Sequence, residues 1–174
     1  MCASRDNAPV STATQRALSI RRAEPRDLPE VVRLRIALLR EHADNPVYGR
    51  LREDAPARAA EVFGAQLRLD DQITLLAERG SAAIGIMRCA DTVGSPLLYP
   101  ARYGYISSVY VIPAERRHGV LRALFVAAED WCIERGLTEL RLHNAPENPL
   151  SSAAWTALGF DIVEHLRMRP IERR

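Results

Sequence analysis

The sequence predicts a single mixed α/β domain, and three observations carry that expectation. Apolar residues recur at helical spacing in some segments and at strand spacing in others, and the two kinds alternate along the chain. Glycine, proline, asparagine and aspartate stand at the junctions between them. A chain of 174 residues with 47% apolar content is long enough for one real core.

"LSIRRAE" reads as a short strand. In "DLPEVVRLRIALLREH", Asp27 is placed as N-cap, with Pro29 in the first turn and Glu30 three residues after the cap, a variant of the capping box. Leu28, Val31, Val32, Ile36 and Leu39 then line one helical face. A second helix is expected from Pro56 to about Leu67. "ITLLAE" and "AAIGIMRC" read as two strands joined by a tight turn at Arg79, Gly80 and Ser81. A loop with Gly94, Pro96 and Pro100 leads to the strand "YGYISSVYV". The next helix puts Leu121, Leu124, Phe125, Ala128 and Cys132 on one face and stops at Gly136. "LTELRLH" is a strand with Thr138, Leu140 and Leu142 in phase. Asn148 as N-cap, Pro149 at the first helical position and Gly159 past the end define the last helix, and "DIVEHLRM" is expected as a closing strand. The order is β-α-α-β-β-β-α-β-α-β.

Composition excludes several classes. The formal charge of +2 is too small for a nucleic-acid footprint, and no dense basic run exists, although all 24 basic side chains are arginine. Cys2, Cys89 and Cys132 form no CxxC pair, so neither a disulfide framework nor a metal site is expected. The N-terminus lacks an apolar signal region, and no apolar run is long enough to span a membrane. The expectation is a cytoplasmic protein with a flexible polar tail over residues 1–17 and a domain over 18–174.

The most informative stretch is "YVIPAERRHGVLRALFVAAEDW". It sets two arginines, a histidine and a glycine at the mouth of a helix. A helix N-terminus carries unsatisfied N–H groups and the positive end of the macrodipole. Glycine lets an anion approach the backbone, and arginines add charge-assisted bonds. "RRHGVL" is therefore a pyrophosphate-cradle candidate, although neither GxxxxGK[ST] nor GxGxxG is present. A solvated basic turn with a structural glycine satisfies the local pattern equally.

Four ordered segments together resemble the GNAT superfamily of N-acetyltransferases. Its [Q/R]-x-x-G-x-[G/A] signature is matched by Arg116 and Gly119, with Leu121 where a second small residue is usual. Its second and third strands resemble "LLAERGSAAIGIM", with Gly85 in place, and its fourth resembles "VYVIP". Its N-x(6)-Y-x-x-x-G-F helix is matched by Asn148, Gly159 and Phe160, with Trp155 at the aromatic position. The resemblance runs from residue 18 to about residue 170. It implies one domain with a mixed, mostly antiparallel central sheet flanked by about four helices.

The resemblance also implies site roles. Acetyl-CoA would be the co-substrate, with no metal. The backbones of Val109, Tyr110 and Val111 would meet its pantetheine arm. Arg116, Arg117, His118 and Gly119, followed by Val120, Leu121 and Arg122, would wrap its pyrophosphate, and Asn148 and Ser151 would contact it near the last helix. An indole cannot act as an acid, so with Trp155 in the usual tyrosine position His143 and Tyr110 are the catalytic candidates. Glu41, Asp44, Asp54 and Tyr105 are the candidates for acceptor binding. The implied activity is acetyl transfer to a primary amine of a small molecule, such as a cationic or aminoglycoside-like amine. A protein or peptide N-terminus as acceptor and a non-catalytic coenzyme-binding module are the alternatives, and a homodimer stays open.

Overall fold

A computed structural model of the chain describes residues 17–145 and 148–171. The tail expected over residues 1–17 lies outside these, Ala17 excepted. Strands β1 (Leu18–Arg22), β2 (Gln72–Arg79), β3 (Ala82–Val93), β4 (Arg102–Val111) and β5 (Leu140–Leu142) form one sheet in sequence order. Pairing is antiparallel from β1 to β4 and parallel between β4 and β5. Helices α1 (Leu28–Glu41) and α2 (Ala55–Gln66) cover one face, and α3 (Val120–Glu134) and α4 (Pro149–Ala157) pack with the other.

Strand alternation sorts the core into two layers. Leu76, Ala83, Ile86 and Tyr110 point toward α1 and α2, where they meet Val31, Leu34, Phe63 and Leu67. Leu75, Met87, Cys89 and Ile106 point the other way, against Leu124, Phe125, Ala128 and Cys132 of α3. A fully buried leucine such as Leu34 or Leu124 contributes about 1.5–3 kcal/mol by burial. Cys89 and Cys132 are free thiols facing each other at 3.5 Å in this second layer.

Gly104 shows how tightly α3 sits on the sheet. A Cβ there would stand 2.6 Å from both Cys132 Sγ and Leu140 Cδ2. Gly104→Val is expected to lower stability by about 1–3 kcal/mol through overpacking, read as a shift of the urea midpoint at unchanged slope.

Two expectations need correction. Asp27 does not cap α1 through its side chain. Its carboxylate accepts from Arg21 (2.6 and 2.8 Å) and from the Glu24 amide (2.8 Å), closing a 3-10 turn over Pro25–Asp27 that precedes the helix. Arg21 also bonds Glu78, so this network ties β1 to β2 and holds the Asp27 carboxyl down at about 2. The second correction concerns "DIVEHLRM". Residues 160–171 are irregular, with Ile162, Val163 and Leu166 exposed. A strand exists only where a neighbour takes its backbone groups, and this segment enters no ladder among the described residues.

Candidate active site

The site begins where β4 and β5 part. They pair only at Gly104–Ile106 with Leu140–Leu142, so on this side the β4 edge from Ser107 onward has no strand neighbour among the described residues. On its other side β4 carries a bulge, because between the pairs Ile86–Tyr110 and Arg88–Ser107 one residue of β3, Met87, faces two of β4, Ser108 and Val109. Ser108 sits in the left-handed region at φ 53°, a strained conformation for a non-glycine residue. Strand and bulge together open a cleft of about 600 Å³.

The second wall is the loop from Pro113 into α3. Arg117 (φ 65°) and Gly119 (φ 79°) both adopt left-handed backbone, and Gly119 is the N-cap of α3. A Cβ at Gly119 would meet nothing within 4 Å, so glycine is required there by conformation rather than by crowding. The first helical bond runs from the Ala123 amide to the Gly119 carbonyl. The amides of Val120, Leu121 and Arg122 therefore precede the ladder and are the orphan donors of the helix mouth. All four residues from Gly119 to Arg122 line the cleft.

Most of the sequence-predicted residues converge here. Val109, Tyr110, Val111, Arg116 and Arg117 line the cleft, and so do Asn148 and Ser151 from α4. His118 does not. Asn148 caps α4 by accepting from the Ser151 amide at 3.0 Å, as expected. Trp155 is buried, stacks edge-on with Phe160 and donates its indole N–H to Ser151 Oγ at 3.1 Å. It is a packing residue with one satisfied donor.

Arg116 has a different local role from its neighbours. Its guanidinium donates to the Val111 carbonyl at 2.9 Å and to both Glu41 oxygens at 2.6 and 2.7 Å. It also lies 5.7 Å from the Tyr110 ring centroid. Arg116 thus fastens α1 to the β4–α3 loop and neutralises Glu41 inside the cleft. The Tyr110 phenol is held above its ordinary pKa, first by burial and then by the Glu41 charge.

At the vertex where β4 and β5 diverge, Tyr105 Oη lies 2.7 Å from His143 Nδ1. Both residues line the cleft. Burial raises the Tyr105 phenol pKa, keeping it protonated near neutrality. The exposed imidazole beside it offers a path for that proton to bulk water.

The acidic acceptor candidates fare differently. Asp44 and Asp54 lie outside the cleft lining. Asp54 stands at the start of α2 and is bonded by Arg52 at 2.9 Å and Arg58 at 2.7 Å, which lower its pKa. The sequence reading missed Arg35 and Arg88. Arg35 lines the cleft, and both line its extension beneath α1 and α2. The signal was available: Arg35 interrupts the apolar stripe of α1, and Arg88 is the one charge in "AAIGIMRC".

A splayed sheet beside a helix N-terminus whose first amides precede the helical ladder is an arrangement suited to a phosphate-bearing ligand. The chain belongs to the acetyltransferase (GNAT) family, whose sequence profile matches residues 36–160. It is 31% identical over 62 residues to the aminoglycoside N(6')-acetyltransferase type 1 of Salmonella typhimurium. That match spans 36% of this chain and 43% of the relative. Two solved structures share the fold. A predicted acetyltransferase with acetyl-CoA from Clostridium acetobutylicum superposes with a TM-score of 0.73 at 21% identity, covering 88% of this chain and 96% of that one. AAC(6')-Iy in complex with the bisubstrate analog CoA-S-monomethyl-acetylneamine gives 0.71 at 22%, covering 90% and 99%.

Proposed function

We propose that this protein transfers an acetyl group from acetyl-CoA to an amine of a small molecule. The observation that carries the reading is the meeting, in one cleft, of the unpaired β4 edge with the orphan amides of Val120, Leu121 and Arg122. The residues present fit the coenzyme by chemistry. The amides and the α3 dipole suit a pyrophosphate, and the exposed guanidiniums of Arg117 and Arg122 add charge. The edge at Val109 can take an extended arm as a strand would. When bound, the coenzyme supplies a thioester-activated acetyl group.

The chain's own residues have three tasks. The first is orientation, by the edge and bulge of β4, so that the acceptor nitrogen and the acetyl carbon meet. The second is stabilisation of developing negative charge by a backbone N–H on the open side of β4 at the bulge, for which Val109 is the candidate because the Tyr110 amide faces β3. The third is delivery of a proton from Tyr105 Oη to the departing sulfur, with His143 Nδ1 resupplying it through its hydrogen bond. Tyr110 is the weaker acid candidate, because its phenol already faces Glu41. The reading includes a cytoplasmic location.

The test is amine-dependent release of the coenzyme thiol, followed colorimetrically with a panel of primary amines. Turnover that requires both acetyl-CoA and an amine is expected. A folded protein that binds acetyl-CoA and releases no thiol with any amine would reduce it to a binding module.

A further inference from the structure

The cleft does not end at the β4 bulge. A second cavity of about 510 Å³ continues from it beneath α1 and α2, sharing Arg35, Leu39, Tyr48, Ser107 and Ser108 with the first. Its lining contains the guanidinium residues Arg35, Arg50, Arg52, Arg58 and Arg88 and no aspartate or glutamate. Arg52 and Arg58 are balanced by Asp54. Arg35 and Arg88 have no carboxylate in direct contact among the described residues, although Asp71 acts on Arg88 at longer range and Tyr48 on Arg35. Arg35 is half-buried and makes no ion pair or hydrogen bond among the described residues. Arg88, also half-buried, donates to two neutral groups, Gln72 Oε1 at 2.6 Å and Ser107 Oγ at 3.1 Å, with no carboxylate in ion-pair contact among the described residues.

Two partly desolvated cations on the same wall repel each other, and water solvates neither fully. Burial first, and each other's charge for Arg35, press against their charged forms. An arginine stays charged even so, and its planar fork is built to receive a carboxylate or phosphate. Arg88 links β2 and β4 through Gln72 and Ser107, whereas Arg35 makes no hydrogen bond or ion pair among the described residues that would account for its burial. Arg88 is joined through Ser107 to the strand whose bulge opens the cleft, and Arg35 lines the same cavity as Ser107 and Ser108, so a ligand group bound between the two arginines lies beside that strand.

We propose that the acceptor amine carries an anionic group, a carboxylate or phosphate, which Arg35 and Arg88 bind while the amine reaches toward the β4 bulge. This rests on the acetyltransferase reading above and narrows its substrate class. Glu41, the lone carboxylate lining the cleft besides Glu115, is neutralised by Arg116, while Glu115 is bonded to Arg79. The charge balance of the acceptor side is therefore positive, which disfavours a polycation there.

The experiment compares kcat/KM at saturating acetyl-CoA for amines that differ only in charge. The pairs are β-alanine and its amide, phenylalanine and its amide, and 2-aminoethyl phosphate and ethanolamine, with an aminoglycoside as the polycation. At least one anionic member is expected to exceed its neutral partner by tenfold or more. Arg35→Met and Arg88→Met should each erase that preference by raising the acceptor KM, leaving the acetyl-CoA KM unchanged. Arg35→Met guards against a folding defect, because Arg35 makes no bond that its loss would break. Neutral amides or the aminoglycoside turned over as well as any anionic amine, or no anionic amine turned over at all, would overturn the proposal. Loss of acetyl-CoA binding to the unaltered protein in calorimetry would instead overturn the acetyltransferase reading.

Discussion

Gly119→Glu is expected to weaken acetyl-CoA binding by about a hundredfold, near 2.7 kcal/mol. Two effects add. A non-glycine residue at φ 79° costs about 1–2 kcal/mol of backbone strain, part of which is relieved by distorting the helix mouth. The carboxylate then stands at the positive end of α3, beside the three orphan amides, and competes with the pyrophosphate for them. Gly119→Ala separates the contributions, since its Cβ meets no other atom within 4 Å and it brings no charge. Calorimetric titration of both variants should show a small loss for alanine and a large one for glutamate. Equal, undiminished affinity in a folded Gly119→Glu protein would remove the pyrophosphate from this loop.

Tyr105→Phe should lower kcat by about a hundredfold while leaving the acetyl-CoA dissociation constant within a factor of two. The substitution removes one oxygen and leaves the ring, so packing at the β4–β5 vertex is preserved. His143→Ala should lower kcat by a smaller factor, because bulk water can resupply the phenol through the exposed site. The double variant should be no worse than Tyr105→Phe alone, as expected for two residues acting on one proton. Full activity in Tyr105→Phe, with a hundredfold loss in Tyr110→Phe, would move the acid to the other phenol.

Much of this was legible in the residues, and what was not has physical reasons. The helices followed from apolar spacing and from Asn148, Gly136 and Gly159, whose chemistry is local. The helix mouth at Gly119 was legible for the same reason, since orphan amides and a positive φ are properties of a few adjacent residues. Arg116 was not. Its neighbours in sequence suggested a ligand-binding charge, but Glu41 lies 75 positions away and only the fold brings them together. Asp27 was misread for a local reason: taken as a helix cap, its carboxylate instead accepts from Arg21, six positions before it, and from the Glu24 amide, three before it. "DIVEHLRM" alternates adequately for a strand, yet alternation cannot supply a partner edge. The Tyr105–His143 contact joins positions on different strands, and its distance depends on where β4 and β5 cease to pair.

The gap between β4 and β5 and the mouth of α3 together are proposed to form a coenzyme site. Titration calorimetry of acetyl-CoA into the folded, unaltered protein tests it most directly. Saturable binding at one site per chain is expected, displaced by coenzyme A and weakened by Gly119→Glu. No saturable binding, or binding indifferent to that substitution, would contradict it.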